Sequence, residues 1–232
     1  MTSPKLLCDT RDGIMTLSLN RPEKLNAIDN ELSHALREAM HTAGEDASVR
    51  AVVLRGNGRA FCAGRDLSAA PTEEDLVLVQ AVAQAVVNLP KPVLAVVHGW
   101  TVGAGLEWML NADVVVAASS ARFKLPEASI GVFVTGGLLA TLSAYAGAAR
   151  AKALMLLGEE FAPAEALAWG LIWRVVEPQD LAAESLRIAG KLAALRPEVA
   201  GRFKRALNEV GLHQFSRAIE IENEAQRALA GR

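Results

Sequence analysis

The 232-residue sequence has little cysteine and almost no excess of either charge. Its two cysteines, Cys8 and Cys62, are far apart and form neither a CxxC pair nor a Cys/His cluster with zinc spacing. This argues against a disulfide framework and against a metal site, so we expect two reduced thiols and a cytoplasmic protein. The formal net charge of -2 argues against a nucleic-acid-binding surface, which normally shows as clustered basic residues.

The sequence also lacks an apolar targeting segment behind a basic start, so no signal peptide is expected. Residues 128–149 carry no charge and are long enough in principle to cross a bilayer. They are, however, interrupted by glycines at 131, 136, 137 and 147 and are rich in Ala, Ser and Thr. We interpret them as buried backbone of a soluble core and expect no membrane partner.

Motifs for phosphate loops (GxxxxGK[ST]), serine-hydrolase elbows (GxSxG), zinc peptidases (HExxH) and dinucleotide folds (GxGxxG after a strand) are missing. We therefore expect neither a metal nor a resident cofactor.

The hydrophobic pattern predicts an α/β protein, because short apolar strands alternate with amphipathic helices. Asp12-Gly13 is a strong hairpin signal, Asp29 or Asn30 can cap a helix, and Thr72 to Asp75 forms a plausible capping box. Strands are predicted at Lys5–Cys8, Ile14–Leu19, Ala51–Leu54, Pro92–Val97 and Asp113–Ala117, and helices from residue 30, at Leu76–Leu89 and at Gly105–Leu110. From about Gly136 the pattern is mostly helical, and we place an α/β core at 1–190 and C-terminal helices at 191–232.

Two glycine-bearing loops follow predicted strands. The first glycine loop comprises residues 58–67, and the second glycine loop comprises residues 99–107. Open α/β sheets bind ligands at the carboxyl ends of their strands, and free N–H groups in such loops suit an oxygen that carries negative charge. Each loop alone is also compatible with an ordinary tight turn.

Together the two loops resemble a known family. Arg59-Ala60-Phe61-Cys62-Ala63-Gly64-Arg65-Asp66-Leu67 and Gly103-Ala104-Gly105-Leu106-Glu107 are similar to the two oxyanion-loop motifs of the crotonase, or enoyl-CoA hydratase/isomerase, superfamily. The segments Leu19–Ala27, Phe123–Ala128 and Gly158–Val176 also resemble family segments, in the family's order. The resemblance implies a crotonase-like spiral of ββα turns with a helical C-terminal oligomerisation region.

The resemblance also implies the ligand and the site. The ligand would be an acyl-CoA thioester, with coenzyme A as part of the substrate. The backbone N–H groups of Arg65 and Ala104 would hold the thioester oxygen, and Glu107 and Glu127 match the two catalytic glutamates of family hydratases. By similarity, Glu107 would activate water and Glu127 would serve the proton at C2. The CoA portion would lie along Lys24, Leu25, Ala27, Arg59, Ala63, Gly64, Asp66, Leu67 and Gly103.

Several alternatives stay open. Both glutamates favour an enoyl-CoA hydratase, but a double-bond isomerase using mainly Glu127, or a non-catalytic acyl-CoA-binding relative, also fits. Arg59 could equally be a solvated loop arginine. A homotrimer or a dimer of trimers is expected from the resemblance.

Two features depart from the family pattern. Residues 131–138 replace a Pro-Gly-rich stretch, so Phe133 and Trp108 either line the acyl pocket or belong to the core, which we favour. The sequence after Glu222 also stops about one or two helices short of a typical member.

Overall fold

The computed structural model describes residues 3–68 and 72–230. Its strands are β1 (Leu6–Arg11), β2 (Ile14–Leu19), β3 (Ala51–Gly56), β4 (Ala60–Cys62), β5 (Val93–Val97), β6 (Trp100–Val102), β7 (Val114–Ala118), β8 (Arg122–Lys124) and β9 (Arg174–Val176). Its helices are α1 (Asn30–Glu45), α2 (Glu73–Asn88), α3 (Ala104–Leu110), α4 (Glu127–Ile130), α5 (Leu138–Ala146), α6 (Ala148–Leu157), α7 (Pro163–Ala168), α8 (Leu181–Ala193), α9 (Pro197–Gly211) and α10 (Phe215–Ala230).

The strands form two sheets that the chain visits in turn. Within the described ranges, a larger sheet has the order β1-β2-β3-β5-β7-β9 and a smaller one the order β4-β6-β8. β1 pairs with β2 antiparallel and the other described pairs are parallel. Strands β3, β5 and β7 of the larger sheet are followed along the chain by β4, β6 and β8 of the smaller sheet, respectively. A helix comes after each of these two-strand units. The chain therefore climbs as a spiral of ββα turns, which confirms the predicted fold class.

The local signals in the sequence act where they were predicted. Asp12 and Gly13 adopt φ of 51° and 77°, as a tight hairpin turn requires. The Asp29 side chain accepts the N–H of Leu32 and so caps α1. Thr72 and Asp75 form the capping box of α2, which ends just before Pro90.

The larger sheet is covered on both faces, which explains why its central strands are continuously apolar. One face packs into the main core with Leu32 and Leu36 of α1. The other face packs against α8, where Leu94 and Val96 meet Ile188. Part of the uncharged stretch 128–149 forms α5 with buried Leu138 and Leu142, and no described helix is long and apolar enough to cross a membrane.

Helix α10 packs against the α/β body through a hydrophobic cluster that is separate from the main core. Phe215, Ala218 and Ile219 of α10 are buried in one cluster with Ala83 of α2 and Ala140 of α5. α10 therefore folds back over the segment that leads into α5.

One expectation for the second glycine loop was wrong in detail. Trp100–Val102 is strand β6 and not loop, whereas α3 at Ala104–Leu110 agrees with the helix predicted from about Gly105 to Leu110. The three-residue strands β4 and β8 were likewise not predicted. Strands this short show no hydrophobic alternation, so only their pairing in the folded chain defines them.

Candidate active site

The first glycine loop is held against residues 25–28 by main-chain hydrogen bonds. Ala63 N–H donates to the Leu25 carbonyl at 3.0 Å, Ile28 N–H to the Gly64 carbonyl at 2.8 Å, and Asp66 N–H to the Ile28 carbonyl at 2.8 Å. The loop is therefore fixed by chain that lies about 40 residues earlier in the sequence.

The two glycine loops meet at Gly64. Gly64 has a φ of +85°, and a Cβ there would lie 2.7 Å from the Val102 carbonyl oxygen and 3.6 Å from the Ala104 nitrogen. Since Ala104 is the first residue of α3, its N–H has no acceptor within the helix. Arg65, which follows Gly64 in the chain, and Ala104 are thus brought together at the contact between the loops.

The side chains of Arg65 and Asp66 stabilise the first loop. Arg65 forms an ion pair with Asp75 of α2 at 2.9 Å. Asp66 accepts the Ser68 N–H at 3.1 Å and a guanidinium N–H of Arg21 at 2.9 Å. Hydrogen bonds from Ser68 and the Arg21 guanidinium hold the pKa of Asp66 well below its usual range. Both side chains are thus engaged in holding the loop, and the Asp66 N–H is engaged by the Ile28 carbonyl.

The residues expected to border the CoA portion lie around the same loop. Lys24, Arg59 and Leu67 are exposed, whereas Ala27 is buried and Leu25 is partly buried. The carbonyls of Lys24, Leu25 and Ala27 accept hydrogen bonds from Ala27 N–H, Ala63 N–H and the Arg21 guanidinium, respectively.

Sequence reasoning missed two residues that hold this region. Arg21 is buried and binds Asp66 and the Ala27 carbonyl. Asn26 is fully buried with a φ of +56°; its side chain accepts the Arg21 N–H and donates to the Asn57 and Ala60 carbonyls. Both lie in the segment Leu19–Ala27, which resembles a family segment, and this resemblance was the feature of the sequence that could have pointed to them.

Glu107 lies on α3 and is only 1% exposed. Its Oε1 accepts the Thr135 N–H at 3.0 Å, and its Oε2 accepts the Gly136 N–H at 2.6 Å and the Thr135 hydroxyl at 3.3 Å. Burial raises the pKa of Glu107 to about 7, although these donors oppose the shift by stabilising the charged form.

Glu127 is the first residue of α4 and differs from Glu107 in its hydrogen bonds. Its Oε2 is buried and has no hydrogen-bond partner among the described residues. Burial, and next the charge of Glu107, raise the pKa of Glu127 to about 8. An acid with this environment is held in its protonated form at neutral pH.

Two glycines allow the backbone to approach these acids. A Cβ on Gly103, whose φ is +53°, would lie 2.6 Å from Glu127 Oε1. A Cβ on Gly136 would lie 2.6 Å from Glu107 Oε2. The predicted acids and the second glycine loop therefore form one continuous site.

A third buried carboxylate, Glu222 of α10, was not predicted. It is fully buried and accepts the N–H groups of Gly137 at 2.8 Å and Leu139 at 2.9 Å. Burial, and next the charge of Glu107, raise the pKa of Glu222 to about 8. The α10 stripe of Phe215, Ala218 and Ile219 continues to position 222, which was the signal available in the sequence.

Trp108 and Phe133, the two aromatic residues considered for the acyl pocket, differ in burial. Trp108 is fully buried, and its ring N–H donates to the Val79 carbonyl at 3.4 Å, so it belongs to the core. Phe133 is partly buried and packs on the same core. Within the described part of the chain, no group of three or more His, Cys, Asp or Glu side chains is arranged to hold a metal ion.

Comparison with known proteins agrees with this geometry. Residues 9–230 match the family model described as enoyl-CoA hydratase/isomerase. A 1,2-epoxyphenylacetyl-CoA isomerase of Escherichia coli (strain K12) is 35% identical over 98% of this chain and 90% of its own length. A mevalonyl-coenzyme A hydratase of Beauveria bassiana is 36% identical over 80% of this chain and 71% of its own.

A solved structure of an enoyl-CoA hydratase from Mycobacterium avium subsp. paratuberculosis superposes with a TM-score of 0.95 at 31% identity. The match covers 100% of this chain and 96% of that one. The spiral of ββα turns, which brings the two glycine loops, Glu107 and Glu127 together, places the chain in the crotonase class. The chain belongs to the enoyl-CoA hydratase/isomerase family, as its motifs predicted.

Proposed function

We propose that this protein is an enoyl-CoA hydratase that adds water reversibly to a trans-2-enoyl-CoA. The observation that carries the proposal is a pair of acids with unequal hydrogen bonding, the buried Glu107 and the partly buried Glu127, beside the contact of the two glycine loops. Glu107 has three donors that favour its ionised form, whereas Glu127 has a buried oxygen without a described partner. The two environments suit a base and an acid, respectively.

The backbone of the loops suits the thioester. With its carbonyl oxygen at the N–H groups of Arg65 and Ala104, the substrate would gain negative charge where two donors are already fixed. Such donors stabilise an enolate-like transition state more than the ground state. The CoA portion would leave along the first glycine loop.

The acids then complete the addition. Water gives a proton to the Glu107 carboxylate while its oxygen bonds to C3, and the electrons of the double bond move toward the thioester. Protonated Glu127 gives its proton to C2. After the addition, Glu107 is protonated and Glu127 is ionised. Glu107 then releases one proton to solvent and Glu127 takes one up, so both acids return to their starting states without any redox partner.

A double-bond isomerase is the second candidate, because both Glu107 oxygens are already occupied by donors from Thr135 and Gly136. Glu127 alone could then remove a proton from one carbon of an enoyl-CoA and return it to another. A relative that is 35% identical over nearly the whole chain is named 1,2-epoxyphenylacetyl-CoA isomerase, so isomerisation of a CoA thioester occurs by name among the relatives.

The test follows loss of the conjugated thioester's ultraviolet absorbance when enzyme is mixed with a short trans-2-enoyl-CoA. We expect turnover in the wild type and a loss on the order of 10²- to 10⁴-fold in both Glu127→Gln and Glu107→Gln, since each removes a proton-transfer group. Glu220→Gln, which changes an exposed acid of α10, serves as the control and should match the wild type.

The hydratase and the isomerase predict different activities for Glu107→Gln. A wild type that moves a 3-enoyl double bond into conjugation, and retains that activity in Glu107→Gln, would establish the isomerase instead. Binding of CoA thioester without either reaction would contradict both and leave the non-catalytic relative.

A further inference from the structure

Glu222 is a buried carboxylate that the proposed reaction does not use. It lies on α10, more than 80 residues from the chain segment it contacts, and is 0% exposed. Burying a polar carboxyl group costs free energy unless hydrogen bonds compensate, so its placement calls for a reason.

Its contacts fix the start of α5. Helix α5 begins after Gly137, which has no side chain to cap the helix. Glu222 supplies the cap from outside, because its Oε2 and Oε1 accept the N–H groups of Gly137 and Leu139.

The residues just before this cap are the ones that bind Glu107. Thr135 and Gly136 donate to Glu107, and the Asn111 side chain donates to the Gly136 carbonyl at 3.0 Å. From α10, Gln226 accepts the Phe133 N–H at 2.7 Å. We call residues 133–139 the bridging segment, since it joins α3 on one side to α10 on the other.

Phe215 fixes the distance between α10 and this segment. A Cβ on Gly137 would lie 2.2 Å from a ring carbon of Phe215, so the helix and the segment are in close contact. A shift of α10 or of its carboxylate would therefore move the donors on Glu107.

We propose that Glu222 is a positioning residue that holds Thr135 and Gly136 in place to orient the Glu107 carboxylate. This inference rests on the proposed function, in which Glu107 activates water. Glu222 itself touches no reacting atom in this scheme. It acts through the bridging segment and makes the C-terminal helix a part of the active site.

The experiment compares wild type, Glu222→Gln and Glu222→Ala in two measurements. Steady-state kinetics per folded enzyme should show kcat reduced on the order of tenfold in Glu222→Gln and up to about a hundredfold in Glu222→Ala, because a misplaced catalytic group costs that much. KM should stay within about twofold, since the thioester contacts are elsewhere. Amide hydrogen exchange should accelerate at Thr135 and Gly136 while the amides of α10 keep their protection.

The matched control is Asn223→Ala. Asn223 is the next residue of α10 and accepts a hydrogen bond from Gln80, so this variant loses a contact between α10 and the body but leaves the bridging segment intact. It should match the wild type in kcat and in exchange at Thr135 and Gly136.

Several results would overturn the proposal. One is an unchanged kcat per folded enzyme in both variants; another is exchange that rises equally across the chain, which a purely structural role would give. Should Glu222→Ala fail to fold, Glu222→Asp replaces it, because the shorter carboxylate cannot reach both N–H groups. Exchange needs no turnover, so a wild type without hydration would refute the proposed function while Thr135 and Gly136 still report whether Glu222 holds them.

Discussion

The first glycine loop and the bridging segment border the same site but are held in different ways. The loop is fixed by Arg21, Asn26 and residues 25–28, which lie within one short stretch of sequence. The bridging segment is fixed by Glu107 and Asn111 from one helix and by Glu222 and Gln226 from another, far later in the chain.

This difference separates two tasks. The first glycine loop is held in a fixed shape by main-chain hydrogen bonds to one short segment, residues 25–28. The bridging segment instead sets the environment of Glu107, and its dependence on α10 allows the C-terminal part of the chain to affect the acid. Changes in the first region should therefore affect folding most, whereas changes in the second should affect turnover most.

The largest effect is expected for Asn26→Ala in the first region. The change leaves the Arg21 N–H and the carbonyls of Asn57 and Ala60 without their buried partner. Each orphaned group costs about 1–3 kcal/mol, so the free energy of unfolding should fall by roughly 3 kcal/mol or more. Thermal unfolding should show a Tm lower by about 6–12 °C.

Asn223→Ala, which removes a single partly buried hydrogen bond of α10, should lower Tm by only about a third as much. Equal shifts in the two variants would contradict the view that the first region is the more tightly fixed one.

The next largest effect is expected for Gly103→Ala, within the second glycine loop. The added methyl would lie 2.6 Å from Glu127 Oε1 and displace that acid. We expect kcat/KM to fall on the order of a hundredfold, because the acid moves away from the position that the reaction needs.

The control for that variant is Gly147→Ala. Like Gly103, Gly147 combines a positive φ with a ψ outside the left-handed helical region (78° and 153°), but a Cβ there would meet nothing within 4 Å. It therefore carries a comparable backbone cost without the contact. If both variants lose turnover equally, backbone strain and not the approach to Glu127 is responsible.

A smaller and reversible effect is expected from pH. The proposed hydration needs Glu107 ionised and Glu127 protonated, and the pKa values of these acids are raised to about 7 and about 8. The value of kcat/KM should therefore rise as pH increases through the Glu107 pKa and fall as pH increases through the Glu127 pKa. A plot of kcat/KM against pH checks this, and a profile that is flat from about pH 5 to 9 would contradict the assignment of roles.

The sequence indicates the first glycine loop and both acids because their residues lie in short, contiguous motifs, whereas the contacts of Arg21 and Asn26 were not predicted. The long strands, the caps of α1 and α2 and the loops that follow strands were readable in the same way. Glu222 was not, since Glu220 and Glu224 beside it form exposed ion pairs with Arg217 and make the helix look solvated. Its contact with Gly137 arises only when α10 folds back, and no local pattern states which segment a helix will cover.

The smallest effect is expected for Arg59→Ala, at the outer edge of the first glycine loop. Arg59 is exposed, and the family resemblance places it near the phosphates of the CoA nucleotide. An exposed ionic contact contributes up to about 1 kcal/mol, so KM for the enoyl-CoA should rise by at most about fivefold, with kcat unchanged. High salt should abolish the difference between variant and wild type, because it screens exposed charges. Arg202→Ala, on the exposed side of α9, serves as the control. A KM that is unchanged at low salt would identify Arg59 as a solvated loop arginine. The exposed edge of the first region would then make no ionic contact with the CoA nucleotide.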